Sequence, residues 1–109
     1  MFDIKELQLL DSVINEALNG FAICNFDAVI GMSRSELEQL WPKLNEPPEK
    51  IRLNQRQIKA LRKVLEKTLT ELGIEEFHSR TGFDIEEGER LVRKFDDLLA
   101  LQKKPDRFP

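Results

Sequence analysis

The sequence is short of the residues from which most active sites are built. Its 109 residues include one cysteine, one histidine and no tyrosine. Cys24 has no partner for an internal disulfide, which is typical of a reducing compartment and makes the cytoplasm the expected location. Its apolar neighbours predict a partly buried structural thiol, and His78 lies in no HxxxH spacing that would predict a metal site. We therefore expect no catalytic residue, no metal and no cofactor, in a protein that is not an enzyme.

Long apolar runs and an excess of positive charge are also missing. No apolar stretch approaches the roughly 20 residues that cross a bilayer, so no membrane segment is expected. The formal net charge is −3, divided into −5 over residues 1–50 and +2 over residues 51–109. An acidic chain is a poor ligand for a polyanion, which disfavours nucleic acid as the partner.

What the sequence does contain is an internal repeat. When the chain is shifted by 51 positions, residues 7–44 and 58–95 are identical at 10 of 38 positions, whereas ordinary residue usage would give about two. The repeat and its helical apolar spacing predict an all-α fold, a tandem duplication of a three-helix unit packed as one compact helical domain. The expected divisions are repeat unit one (4–44), a linker with paired prolines (45–50), repeat unit two (51–101) and a flexible tail (102–109).

Each unit is predicted to turn tightly between its second and third helices. The two corners read GMSRSE from Gly31 and GFDIEE from Gly82. In both, a glycine that can adopt positive φ ends one helix. A capping residue then stands three positions before a glutamate, which is the pattern of a capping box. The sequence therefore predicts the same corner twice.

The corners resemble the DNA-binding helix-turn-helix. The apolar residues and the turn glycine of Phe26–Leu40 fall where that motif has them, and Phe77–Leu91 repeats most of the spacing. No family matches over the whole chain. The resemblance implies that the helix SRSELEQ would enter the DNA groove, with Arg34 as a contact. Recognition helices present mostly Arg, Lys, Asn and Gln, whereas SRSELEQ and the later DIEEGER carry several carboxylates, which disfavours DNA binding.

A row of basic residues follows the linker along the predicted helix. We call it the basic row; it consists of Arg52, Arg56, Lys59, Lys63 and Lys67. One interpretation is a solvated helix face. The other is a contact, together with Arg34, for an acidic partner or a nucleic acid. The equivalent helix of unit one carries Asp3, Glu6, Asp11 and Glu16 instead, so a homodimer that pairs acidic with basic helices is a further interpretation.

Two functional hypotheses from different classes follow. The preferred one is a non-catalytic helical protein-interaction module whose partner is another protein or a second copy of the chain. The alternative is a helix-turn-helix-type transcriptional regulator that binds DNA through the first corner and the basic row.

Overall fold

Helices make up most of the structure. The computed structural model describes residues 2–103, and this part of the chain contains no strand. The helices are α1 (Ile4–Asn15), α2 (Phe26–Ile30), α3 (Arg34–Leu40), α4 (Gln55–Thr81) and α5 (Ile85–Lys103). A π-helical turn over Glu16–Gly20 extends α1, and 3₁₀ turns cover Trp41–Asn45 and Pro48–Lys50. The predicted all-α class is confirmed; α5 continues to Lys103, and residues 104–109 of the predicted tail lie outside the described residues.

Capping boxes begin three of these helices. Asp3 caps α1 by accepting from the Glu6 backbone N–H, and the Glu6 carboxylate accepts in return from the Asp3 N–H. The same reciprocal pair starts α3 and α4; the pairs are Ser33 with Glu36 and Asn54 with Gln57. At α5 one half of the box is present, since the Glu87 carboxylate accepts from the Asp84 N–H at 3.0 Å. These helix starts are therefore set by side chains only three positions from one another.

Left-handed glycines divide the helices. Gly31 ends α2 at φ 90° and Gly82 ends α4 at φ 79°, a region in which a Cβ atom would strain the backbone. A third, Gly73, interrupts α4 with φ 70° and ψ −176°. The long α4 is thus two helical segments joined at Gly73, so helix, short helix and helix follow one another in both halves of the chain.

Both halves bury their apolar faces in one core. Many of the buried residues stand 51 positions apart; the pairs are Leu10 and Leu61, Val13 and Val64, Ile14 and Leu65, Phe26 and Phe77, Leu40 and Leu91, and Leu44 and Phe95. Each such side chain contributes about 1.5–3 kcal/mol when it leaves water. One half of about 50 residues would by itself bury little surface and be only marginally stable. This is a physical reason for the shared core.

α4 lies at the centre of this arrangement and packs against both α1 and α5. Polar contacts join the two halves at the edge of the core. Glu6 on α1 accepts from Lys94 on α5 at 2.8 Å, and Glu16 accepts from Arg80 on α4 at 3.0 Å. The rings of Phe2 and Phe95 lie 5.4 Å apart beside the Glu6–Lys94 pair. Phe2, which precedes α1, is therefore also in contact with α5.

Candidate interaction surfaces

Arg34, the predicted DNA contact of the first corner, is held by the fold itself. Its Nη2 atom donates to the Leu18 carbonyl at 2.6 Å, and its guanidinium lies 4.9 Å from the centre of the Phe26 ring. The carbonyl is one that the end of α1 leaves without a regular helical partner. Arg34 therefore closes the first corner onto α1 through one of its donors, and the residue itself is exposed.

Arg56 of the basic row forms a bidentate pair with Glu36 on α3. Its Nη1 and Nη2 atoms lie 2.9 Å from the two carboxylate oxygens. The Arg56 hydrogen bonds, helped by the Ser33 N–H, lower the pKa of Glu36 from 4.5 to about 2. The same pairing raises the pKa of Arg56. The pair joins the N-terminal turn of α3 to α4. Both predicted contacts of this region, Arg34 and Arg56, therefore have a partner within the chain.

The Arg56 pair should be visible in the titration of Glu36. The folded pKa lies below the ordinary value of 4.5, so the stabilisation by this pair is present above that pH and is lost as the pH falls towards 2. We expect Arg56→Gln to raise the Glu36 pKa towards 4.5, measured by carboxyl-carbon NMR. Lys59→Gln, which removes a charge without this contact, should leave it unchanged. An unaltered pKa in Arg56→Gln would contradict the pairing.

The rest of the basic row is only partly available. Arg52 donates to the carbonyls of Glu49 and Ile51 at 2.8 and 3.1 Å, and Lys67 pairs with Glu71 at 3.3 Å. Lys59 and Lys63 are exposed, and within residues 2–103 no carboxylate lies within ion-pair distance of either. The five predicted residues therefore lie on α4 and the segment that leads into it, and among residues 2–103 three of them, Arg52, Lys59 and Lys63, have no carboxylate partner.

The carboxylates of α1 are also engaged inside the molecule. All four predicted acidic residues have an intramolecular partner: Asp3 caps α1, Glu6 binds Lys94, Asp11 binds the Trp41 indole and Glu16 binds Arg80. Only Glu6 and Glu16 meet a cation, so two of the four carboxylates are already neutralised, and α1 is a weaker counterpart for the basic row of a second copy. The homodimer built on that charge pattern therefore loses two of its four acidic contacts.

An open cleft lies between α1 and the segment that follows α3. It has a volume of about 400 Å³ and is lined by Ile4, Leu7, Gln8, Asp11, Leu44, Asn45, Glu46, Pro47 and Pro48. Leu7 and Leu44 form a buried floor, whereas the Ile4 side chain is 62% exposed. No lysine or arginine lines it. We call this site the α1 cleft; no motif in the sequence predicts it.

The second corner holds the only histidine of the chain. His78 Nδ1 lies 3.2 Å from the Asp84 carboxylate, and both side chains are exposed. This contact replaces the half of the capping box that Asp84 would otherwise supply. His78 thus lines the corner and bridges α4 to the start of α5.

Cys24 is exposed, so the predicted buried thiol is wrong. The residue lies in the irregular stretch between Gly20 and α2, where its neighbours Ile23 and Phe26 supply the contacts with the core. Among the described residues no group of three or more His, Cys, Asp or Glu side chains is placed to hold a metal ion. In the same part of the chain no helix combines the length and the apolar character needed to cross a bilayer.

The two corners place a helix after a tight turn, as in the helix-turn-helix, but α2 has only 5 residues. The exposed side chains near the start of α3 include Glu36 and Glu38, and those of α5 include Glu86 and Glu89. Carboxylates at these places repel a phosphate backbone. In comparisons with protein-family models, with curated proteins and with solved structures, the chain matches none.

Proposed function

We propose that this chain is a non-catalytic helical protein-interaction module that binds its partner at the α1 cleft. One observation carries the proposal: the cleft leaves apolar surface open to solvent, with Ile4 62% exposed above the buried Leu7 and Leu44. An apolar depression rimmed by polar side chains is typical of a protein-binding site. The cytoplasm remains the expected location, on the ground of cysteine usage.

We also propose that the module arose as a tandem duplication of a three-helix unit. The local features that support it recur at the same offset of 51 positions: the left-handed Gly31 and Gly82, and the capping pairs Asp3–Glu6 and Asn54–Gln57. Helical periodicity alone would bring apolar residues into register, but it would not place glycines and capping residues there. The pairs of buried residues at the same offset support the same conclusion.

The transcriptional regulator is the weaker proposal. Two of the DNA contacts that it requires are Arg34 and Arg56. Within the fold, Arg34 donates to the Leu18 carbonyl and Arg56 to the Glu36 carboxylate. Of the basic row, Arg52, Lys59 and Lys63 have no carboxylate partner among residues 2–103, and Arg52 donates to two backbone carbonyls. Three cations neutralise few phosphates, and the affinity for DNA depends on that number.

We expect DNA binding to be weak, blind to sequence and steeply reduced by salt. Counterion release makes the slope of log K against log salt about −0.9 for each phosphate contacted, so Arg52, Lys59 and Lys63 predict a slope of about −2.7. Lys59→Gln with Lys63→Gln should flatten it. Fluorescence anisotropy with a mixed oligonucleotide pool at two salt concentrations measures this. Enrichment of one sequence at near-physiological salt, abolished by Arg34→Ala, would favour the regulator instead.

A photo-crosslinking residue at position 4 tests the interaction module. Ile4 and Ile74 are matched, since both are isoleucines in helices and are 62% and 70% exposed, but only Ile4 lines the α1 cleft. On irradiation in cells, benzoylphenylalanine at position 4 should give a discrete adduct that the same residue at position 74 does not give. The mass of the adduct separates a second copy from a different protein. Smears at both positions, or no adduct at position 4, would refute the proposal.

A further inference from the structure

The 51-residue correspondence shows how the second half covers the surface that is left open in the first. The positions equivalent to 44–48 are 95–99, which continue α5 as an uninterrupted helix. Leu98 and Leu99 are half-buried and pack against the core. Beside them Arg62 on α4 pairs with Asp96 on α5, with Nε and Oδ1 2.5 Å apart. In the second half, therefore, the N-terminal part of α4 is covered by a helix with two leucines and an ion pair.

The first half cannot cover α1 in this way. Its third helix gives way to a 3₁₀ turn at Trp41–Asn45, and Pro47 and Pro48 stand where Leu98 and Leu99 stand in the second half. Proline has no backbone N–H and its ring collides with the preceding turn, so the helix cannot continue. The α1 cleft lies at this position, between Ile4, Leu7 and the proline segment.

The charges at the equivalent positions are changed. Asp11 stands where Arg62 stands in the second half, and Asn45 and Glu46 stand where Asp96 and Asp97 stand. One Asp11 oxygen accepts from the Trp41 indole at 2.6 Å. For Glu46, the structure of residues 2–103 records no ion pair. A helix that lay here as α5 lies on α4 would therefore meet carboxylates and no basic side chain.

We propose that the α1 cleft binds an amphipathic helix of a partner protein, which inserts aliphatic side chains over Leu7 and Leu44 and places a lysine or arginine beside Asp11 and Glu46. The inference rests on the proposed function and names the chemistry of its partner. The apolar contacts follow the packing of Leu98 and Leu99, and the positive charge follows from the acidic rim. Helix-in-groove recognition uses this combination of an apolar stripe and flanking charges.

Three synthetic helical peptides of about 14 residues, sized to cover a cleft of this volume, test the inference. The first carries leucines at helical spacing and lysines elsewhere, the second replaces each lysine with glutamate, and the third replaces each leucine with serine. Titrated into the ¹⁵N-labelled full chain, the lysine–leucine peptide should shift the amides of Ile4, Gln8 and Glu46. It should bind about tenfold more tightly than the glutamate peptide, the scale of a few exposed charge contacts, and the serine peptide should not bind.

Charge reversal in the cleft provides the matched control. Glu46→Lys should weaken the lysine–leucine peptide and strengthen the glutamate–leucine peptide, whereas Glu75→Lys, the same change at an exposed site outside the cleft, should alter neither peptide at the cleft. Equal binding of the two leucine peptides, or shifts confined to residues outside the cleft, would overturn the inference about the partner. The proposed function would then still be decided by the adduct at position 4, which does not depend on the sign of the partner's charge.

Discussion

Phe77→Ala should destabilise the protein by about 3–5 kcal/mol, the usual range for a large ring removed from a packed core. The Phe77 side chain is fully buried. It lies against α5 where that helix has Gly88, so close that a Cβ atom on Gly88 would come within 3.1 Å of the ring. α4 and α5 cannot move easily into the space that the ring leaves, because the corner at Gly82 fixes both helices. Urea unfolding followed by circular dichroism measures the change.

Ile74→Ala is the control for this prediction, because it removes a large apolar side chain that is 70% exposed from the neighbouring turn of α4. Surface changes of this kind are usually within about 0.5 kcal/mol. A loss below about 1 kcal/mol for Phe77→Ala, against the core range, would mean that the second corner is not packed as described.

Arg80→Ala should destabilise the protein clearly more than Glu76→Ala does, because it leaves a largely buried carboxylate without its hydrogen-bonding cation. The Glu16 side chain is only 11% exposed, and Arg80 Nη1 lies 3.0 Å from its Oε1 atom. The same nitrogen donates to the Gly20 carbonyl at 3.3 Å. Hydrogen bonding to Glu16, with the charge of Glu76, raises the pKa of Arg80. The contact joins the end of α1 to the last turns of α4 across 64 residues of sequence.

Glu16→Ala should lose less stability than Arg80→Ala, and Glu76→Ala should lose the least. Glu16→Ala leaves Arg80, which is 39% exposed and keeps Glu76 at 3.2 Å, so the remaining charge is still solvated. Glu76→Ala removes only an exposed pair one helical turn away, for which about 0.5 kcal/mol or less is expected. A double-mutant cycle between Glu16 and Arg80, measured by urea unfolding, isolates the pair. Equal losses for Arg80→Ala and Glu76→Ala would show that the buried carboxylate is not the cause.

The features that sequence reasoning placed correctly are those that depend on near neighbours in the chain. The glycines at the two corners, Gly31 and Gly82, have positive φ as expected. The predicted Ser33–Glu36 box uses residues three positions apart, so its hydrogen bonds form as soon as the helix does. Of the box predicted at the second corner, only the bond from the Asp84 N–H to Glu87 is present. The buried faces of α1 and α4 follow their apolar periodicity, because one stripe of a helix must leave water whatever it packs against.

The tertiary partners of the candidate site residues could not be predicted from the sequence. The sequence shows that Arg34 and Arg56 are basic, but their partners Leu18 and Glu36 lie 16 and 20 residues away. The Glu6 and Glu16 carboxylates of α1 meet cations 88 and 64 residues away. A helical wheel counts such charges as a solvated face, since it contains no information on which helices cross. The α1 cleft was missed for the same reason, although the prolines in place of Leu98 and Leu99 were a signal that could have indicated it.

The sequence by itself determined the all-α class, the helix ends and the residues of the core, because these follow from local hydrogen bonding and from the burial of periodic apolar side chains. Only the tertiary structure decided which charges remain available to a partner and where apolar surface stays open. Charge availability depends on contacts between α1, α3, α4 and α5. The open surface depends on Pro47 and Pro48, because they prevent a helix from covering α1 at the positions where α5 covers α4.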